Sequence, residues 1–326
     1  LAYLYCRMLD TYEDLLPSVE EKERALQQFV DRFDGPNRLK PAPAIDATLT
    51  DDPRESTHLL LVNRAPDIDR NFELLDRPQQ DAVRRLVRRM GTGMIWSSRI
   101  LARQQGVLQT PGQLSRYCWH VLGTPILFAD EMQRLDQGLS PQIDDARLRL
   151  CATVGEVIQL ANITRDLEKD CERGIFYHPQ LPGLEGARRD AGIRQVRSQL
   201  ILRAIRRFRV FPRFFNAIPA PRISRARGAA MLLIITTYAY YWRAARKVGL
   251  PAFDKRQRIT RFRGAFIWLK CVLSPRSAER FMKWLEETVL IAFDRCQPEA
   301  SKRFIWEDGG FDVVEVLNKT RRSSFY

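Results

Sequence analysis

A chain that sets Asn162, Asp166 and Asp170 four residues apart inside an apolar run is tightly constrained in how it can fold. They lie in the stretch Gly155-Glu-Val-Ile-Gln-Leu-Ala-Asn-Ile-Thr-Arg-Asp-Leu-Glu-Lys-Asp170, and their spacing stacks them on one helical face. Val154, Val157, Ile158, Ala161 and Ile163 occupy neighbouring positions, so the carboxylates project from a helix otherwise built for burial. Two like charges buried together are costly unless a cation or strong donors compensate. Two acidic oxygen ligands and an amide suit a hard divalent ion such as Mg2+, which keeps several waters and borrows its remaining ligands from substrate phosphates.

A second pair stands at the start of the chain, in Tyr5-Cys-Arg-Met-Leu-Asp10-Thr-Tyr-Glu-Asp14, where Asp10 and Asp14 repeat the interval within a helical pattern. Asp pairs four apart also occur on solvated helix faces. Two such pairs, each in an apolar helix, make that reading the weaker one and suggest two helices that face each other across a metal site.

At these residues the sequence resembles the squalene and phytoene synthases, which join two prenyl diphosphates head to head. Asp10-Thr-Tyr-Glu-Asp14 is similar to the first aspartate motif of the squalene type, and Asn162-Ile-Thr-Arg-Asp166 with Asp170 is similar to the second. Arg173-Gly174 and Tyr177-His-Pro179 resemble the segment that follows. Arg89-Met-Gly-Thr-Gly-Met94 and Tyr117-Cys-Trp-His-Val-Leu-Gly123 resemble two family segments that line the reaction cavity. The resemblance covers residues 1–179; beyond them only helical character matches.

The resemblance implies an all-α isoprenoid-synthase bundle, one domain over residues 1–326, around a central apolar cavity. It implies Mg2+ held by Asp10, Asp14, Asn162, Asp166 and Asp170, and Tyr117 beside the reacting carbons; Arg7 and Arg165 are candidate diphosphate contacts because a planar guanidinium suits phosphate oxygens, the alternative for each being a salt bridge to a neighbouring aspartate. Met94, Leu122, Gly123, Ile126, Gln159, Arg173 and Tyr177 would contact substrate. The implied substrate is farnesyl or geranylgeranyl diphosphate, and the implied reaction is condensation to a cyclopropyl diphosphate followed by rearrangement. A squalene-type second step takes hydride from NADPH, although no dinucleotide-binding fingerprint occurs in the sequence. The family also carries a helix upstream with a Ser/Lys-rich diphosphate-contacting segment; the chain starts at Leu1 without Met, and none of its residues is matched to that segment.

Charge narrows the alternatives. Residues 1–187 carry 23 Lys and Arg against 28 Asp and Glu, net −5, whereas residues 188–326 carry 30 against 11, net +19. A basic half of this kind attracts nucleic acid, an anionic membrane face or anionic substrates. Paired carboxylates repel phosphate unless a metal intervenes, and no nucleic-acid motif accompanies the arginines, so nucleic acid is not expected as a ligand. Six scattered cysteines without a Cys-x-x-Cys pair argue against a disulfide framework or zinc site and for a reducing cytoplasm, with the basic half able to hold the protein at a membrane surface. His58, His120 and His178 are too dispersed to argue for a histidine metal site, and no signal peptide is seen.

The apolar periodicity predicts helix from Leu1 to about Asp31 with a break at Pro17. Residues 34–69, with Gly35, Pro36, Pro41, Pro43, Pro53 and Pro66, read as loop around one short helix at Thr57–Asn63. Helix is expected over Asn71–Arg103, with Pro78 opening a new segment, and Gly91 and Gly93 mark close approach by a helix or ligand. Thr110 and Pro111 open a helix carrying Tyr117 to Ile126, kinked at Pro125 and ended by Gly138–Pro141. Ile143–Glu172, Gly192–Phe211, Pro221–Val248, Arg256–Leu273, Arg276–Phe293 and a short terminal helix follow. The run Met231–Trp242 is too short to span a bilayer and reads as a core helix.

Two departures from the family pattern bear on function. Leu122 stands where the family has a small residue and Ile126 where it has glycine, which narrows or reshapes the cavity. Glu168 lies one position earlier than in the squalene motif. A class I terpene cyclase using the same metal apparatus on one prenyl diphosphate is therefore the second reading. A basic helical protein that binds membranes or polyanions without catalysis is the third.

Overall fold

The computed structural model describes residues 1–35, 39–218, 224–250, 255–302 and 311–317. Among them every regular element is helical, and the only β contact is an isolated parallel bridge between Val107 and Phe176. The all-α expectation holds. The chain gathers into two compact units, Leu1–Gly106 and Val107–Tyr326.

The first unit contains α1 (Ala2–Leu15), α2 (Val19–Asp31), α3 (Pro53–Asn63), α4 (Ala65–Glu73) and α5 (Arg77–Arg103). Tyr5, Phe33 and Phe72 meet edge to face at its centre, with ring centroids 5.1 Å apart for Tyr5–Phe33 and 5.7 Å for Phe33–Phe72. The Tyr5 hydroxyl donates to Asp69 Oδ1 at 2.8 Å and Arg32 pairs with the other carboxylate oxygen, so the aromatic core closes over a hydrogen-bonded ion pair. Gly91 lets α5 cross α2: a Cβ there would stand 2.3 Å from Val30 Cγ2 and 3.4 Å from Leu9 Cδ2. The close approach expected at this glycine is thus a helix crossing.

Proline positions were only partly legible. Pro17 does separate α1 from α2, which Ser18 and Glu21 cap reciprocally. The helix expected at Thr57–Asn63 is present and reaches back to Pro53 as α3, and the loop expected after it gives way to the start of α4. Pro53 and Pro66 occupy first turns, where a missing N–H costs nothing, and Asp52 accepts from Arg54 N at 2.7 Å and Glu55 N at 3.2 Å. Pro78 opens α5 as expected, behind an Asp76 cap. Pro36 lies outside the described residues.

The second unit contains α6 (Pro111–Cys118), a π-helical turn (Trp119–Gly123), α7 (Thr124–Asp136), α8 (Asp145–Glu172), α9 (Gly186–Arg207), α10 (Val210–Ala217), α11 (Arg225–Lys247), a 3-10 turn (Lys255–Gln257), α12 (Arg261–Leu273) and α13 (Pro275–Lys302). Residues 313–317 form the short terminal helix. The single helix expected to end at Phe211 is two, α9 and α10. Pro221, expected to open the next, lies outside the described residues, and Ser224 caps α11 by accepting from Arg227 N at 3.2 Å. No described helix is long and apolar enough to cross a membrane.

The π turn, α6, α7, α9, α10 and α11 all pack on α8, whose Val154, Val157, Leu160 and Leu167 are fully buried. The kink expected at Pro125 takes the form of the widened π turn just before it, where the Thr124 hydroxyl donates to the His120 carbonyl at 2.8 Å. That turn lies directly on α8. A Cβ on Gly155 would stand 2.4 Å from Gly123 Cα and 2.5 Å from Gly123 N, so the two backbones touch with no room for a side chain. From α11, the Tyr241 hydroxyl donates to the Val157 carbonyl at 2.6 Å.

Gly155→Ala is therefore expected to cost about 3 kcal/mol or more, because backbone must move. Gly91→Ala should cost about 1 kcal/mol, because only the Val30 side chain must turn. Urea unfolding of both variants checks the order; equal losses would refute the backbone contact.

Candidate active site

On α1, Arg7, Asp10 and Asp14 lie on one face and keep contact with solvent, while Tyr5, Met8, Leu9 and Tyr12 are buried. Arg7 Nη1 stands 3.4 Å from Asp10 Oδ2. Although the Asp10 side chain retains 26% of its surface, loss of hydration in its surroundings pushes its carboxyl up to about 7; Arg7 opposes this and Asp14 adds to it.

The neighbouring Glu13, which sequence reading passed over, points to α5. Ser97 Oγ lies 2.7 Å from Glu13 Oε1 and 2.9 Å from the Met94 carbonyl. The Ser97 hydroxyl is the donor toward the Glu13 carboxyl, with the Met94 carbonyl as its second neighbour. Burial lifts the Glu13 carboxyl to about 8, against the Ser97 hydrogen bond and helped by Asp14 and Asp10. Met94, expected at the substrate, is buried on α5 beside this pair.

On α8, Asn162, Asp166 and Asp170 are half-buried along one face, as their spacing requires. Arg165 holds Asp166 through both oxygens, Nε to Oδ1 at 2.9 Å and Nη2 to Oδ2 at 2.6 Å. Asn162 Nδ2 donates to Oε1 of the buried Gln159 at 3.1 Å. Each expected diphosphate arginine, Arg7 and Arg165, is therefore an ion-pair partner of its own motif's aspartate.

The opposite side of α8 is clamped by residues that no local pattern revealed. Arg197 of α9 donates to the Thr164 carbonyl at 2.8 Å and pairs with Glu168. Tyr240 of α11 meets Thr164 Oγ1 at 2.9 Å. Two turns earlier, Arg203 bonds Glu156 Oε1 at 2.9 Å and Ser115 Oγ at 2.7 Å, tying α9, α8 and α6 together.

Tyr117 and Tyr177, which lie 60 residues apart in sequence, are brought together with hydroxyls 3.4 Å apart and ring centroids 5.5 Å apart. Phe176, beside Tyr177, accepts from Leu108 N at 2.9 Å and so fixes the segment after α8 against the entry to α6. Leu122 in the π turn and Ile126 in α7 are half-buried, Gly123 is buried against α8, and Arg173 is exposed at the end of α8. Among the described residues no three His, Cys, Asp or Glu side chains converge on a point that would hold a metal ion. The donors come in pairs of hard oxygens, which fits a magnesium ion that takes its other ligands from water and phosphate and does not fit a closed protein cage.

The family model of squalene/phytoene synthases matches residues 1–263, which include both aspartate motifs. This chain belongs to the squalene/phytoene synthase family. Members of this family are prenyltransferases. A probable squalene synthase of Neurospora crassa is 28% identical over 175 residues, 52% of this chain and 34% of the relative, so the chain spans about a third of that relative's length. Solved structures of TcSQS, a squalene synthase, with the ligands E5700 and BPH1237 superpose with TM-scores of 0.66 at 18% and 17% identity. Each match covers 91% of this chain, with 85% and 86% of the respective solved chain, and establishes the isoprenoid-synthase fold.

The Glu13–Ser97 pair has a pH signature. Its folded-state value lies above the ordinary 4.5, so the folded chain keeps a proton that the unfolded chain releases. The resulting stability is whole below about pH 4 and is lost as pH rises through about 8. Glu13→Gln should match the parent in urea unfolding at pH 4 and exceed it by about 1–2 kcal/mol at pH 9. A difference that does not grow with pH would rule out the protonated pair.

Proposed function

We propose that this chain is a Mg2+-dependent prenyltransferase that condenses two farnesyl diphosphates head to head. The observation that carries the reading is the pair of four-apart carboxylate motifs, Asp10/Asp14 and Asp166/Asp170, left in contact with solvent on helices whose other faces are buried. Paired carboxylates presented in this way are hard oxygen donors of the kind that a magnesium ion shares with water and phosphate.

Asp10, Asp14, Asn162, Asp166 and Asp170 are the residues to bind magnesium, which when bound supplies Lewis acidity toward a departing diphosphate. Arg7 and Arg165 then have two tasks. Without ligand they neutralise Asp10 and Asp166, and with substrate their planar forks can turn to phosphate oxygens. The Tyr117 ring offers a π face to positive charge on an allylic carbon, and its hydroxyl, next to that of Tyr177, can hold or pass a proton. Leu122 and Ile126 offer part-exposed apolar surface against which prenyl chains would exclude water, whereas Met94 and Gly123 are buried; Gln159 orients Asn162, and Arg173 and Tyr177 sit where the second motif ends. NADPH enters this reading only as the hydride donor of a squalene-type second step, and the same assay run with and without it decides that step.

Asp14→Asn and Asp166→Asn should each lower turnover with farnesyl diphosphate and magnesium by about 100-fold or more while the melting temperature stays within a few degrees of the parent. Near-parental turnover of either variant at limiting magnesium would sink the metal assignment.

A terpene cyclase is the second reading, favoured by Leu122 and Ile126, which both keep part of their surface open. Both are larger than the residues the family pattern has there, and close-packed walls do not absorb such volume silently. If the parent chain cyclises one substrate, Leu122→Ala with Ile126→Gly should shift products toward two-chain condensation, read by mass analysis. A thirty-carbon product from the parent, unchanged in the double variant, would eliminate this reading.

A further inference from the structure

Helix α12 is apolar on two opposite sides. Its inner side packs on α11: Trp268 Nε1 donates to the Gly228 carbonyl at 2.8 Å, a Cβ on Gly228 would lie 3.5 Å from Val272, and Cys271 is buried. Its outer side presents Phe262, Phe266, Leu269 and Leu273, which are 91%, 57%, 48% and 64% exposed. Their spacings of four, three and four place all four on one line down the helix. Four large apolar side chains in a row at this exposure are not the scattered surface residues that folding leaves behind.

The surrounding charge selects what covers them. From Lys255 to Ala278 there are seven basic residues and no acidic one. Arg261, Lys270 and Arg276 are exposed beside the stripe, and Lys270 Nζ lies 4.3 Å from the Phe266 ring centroid. A second copy of the chain docking through this face would set each basic cluster against itself, because a two-fold contact is made of identical patches. An anionic bilayer meets both requirements at once: acyl chains accept the phenyl and leucyl groups, and lipid phosphates neutralise the flanking cations. The helix, about 20 Å long, would lie in the interface plane, since it is too short to span.

We propose that the outer face of α12 docks this protein on anionic lipid bilayers by inserting Phe262, Phe266, Leu269 and Leu273 between lysine- and arginine-bound headgroups. The proposal uses no residue of the catalytic reading and stands or falls apart from it.

The test is flotation of the full chain with 100 nm vesicles of phosphatidylcholine alone or with 30% phosphatidylglycerol. The parent should float with the anionic vesicles and at least tenfold less with the neutral ones. Phe262→Ser with Phe266→Ser should weaken partitioning at least tenfold with an unchanged melting temperature, since both rings are exposed. Lys270→Gln with Arg261→Gln should weaken it in a salt-dependent way. The fluorescence of Phe262→Trp should be quenched by lipids brominated near the headgroup end of the acyl chain. Failure of the parent to float, or flotation that the double serine variant leaves intact, overturns the proposal. So does light scattering that shows a dimer dissociated by the serine variant, or fluorescence of Phe262→Trp quenched no better by brominated than by ordinary lipid.

Discussion

The contact of Gly155 with Gly123 is the constraint on which the second unit depends. With no side chain on either residue, the π turn rests on the backbone of α8 and carries Leu122 and Ile126 to the helix that also bears Asn162, Asp166 and Asp170. A methyl group at Gly155 would force these backbones apart, and with them the spacing between apolar wall and carboxylates. Around this point the remaining sides of α8 are held by directional bonds: Arg203 to Glu156, Tyr241 to the Val157 carbonyl, Arg197 to Glu168 and Thr164. The helix is thereby fixed in rotation as well as position, which leaves the face of Asn162, Asp166 and Asp170 half-open.

That face, and its counterpart on α1, pose an electrostatic problem that each solves within itself. Arg7 lies by Asp10 and Arg165 holds Asp166 through both oxygens, so each motif brings a cation to its own carboxylates. Exposed pairs of this type contribute little to stability, about 1 kcal/mol or less. Glu13 behaves differently. Bonded to Ser97 and pushed up to about 8 by burial, it belongs to the packing of α1 on α5.

The uneven charge of the chain acquires a location in the same way. The excess of basic residues in the second half is spread over several helices, but among the described residues it is around α12 that it flanks an open apolar stripe without any acidic residue between. Long-range attraction and short-range burial are thus offered by one surface, whereas on α13, as at Lys283 and Glu287, opposite charges alternate.

By itself the sequence determined what depends on neighbours within a turn or two. The four-residue spacings of Asp10/Asp14 and Asn162/Asp166/Asp170, the Thr110 and Pro111 helix entry and the disturbance at Pro125 were all readable, because helix geometry converts such intervals into faces and ends. Even so, Pro53 and Pro66 misled, since a proline that opens a helix and one that lies in a loop look alike without the cap beside them. Tertiary structure alone decided that Gly155 lies against Gly123, that Tyr117 meets Tyr177 and that Arg197 reaches back 33 residues to Thr164. It also decided which apolar face of α12 is covered and which is left open. The physical reason is that periodicity specifies which residues share a face, while the partner of that face is chosen by packing among segments distant in the chain, where no local interval records it.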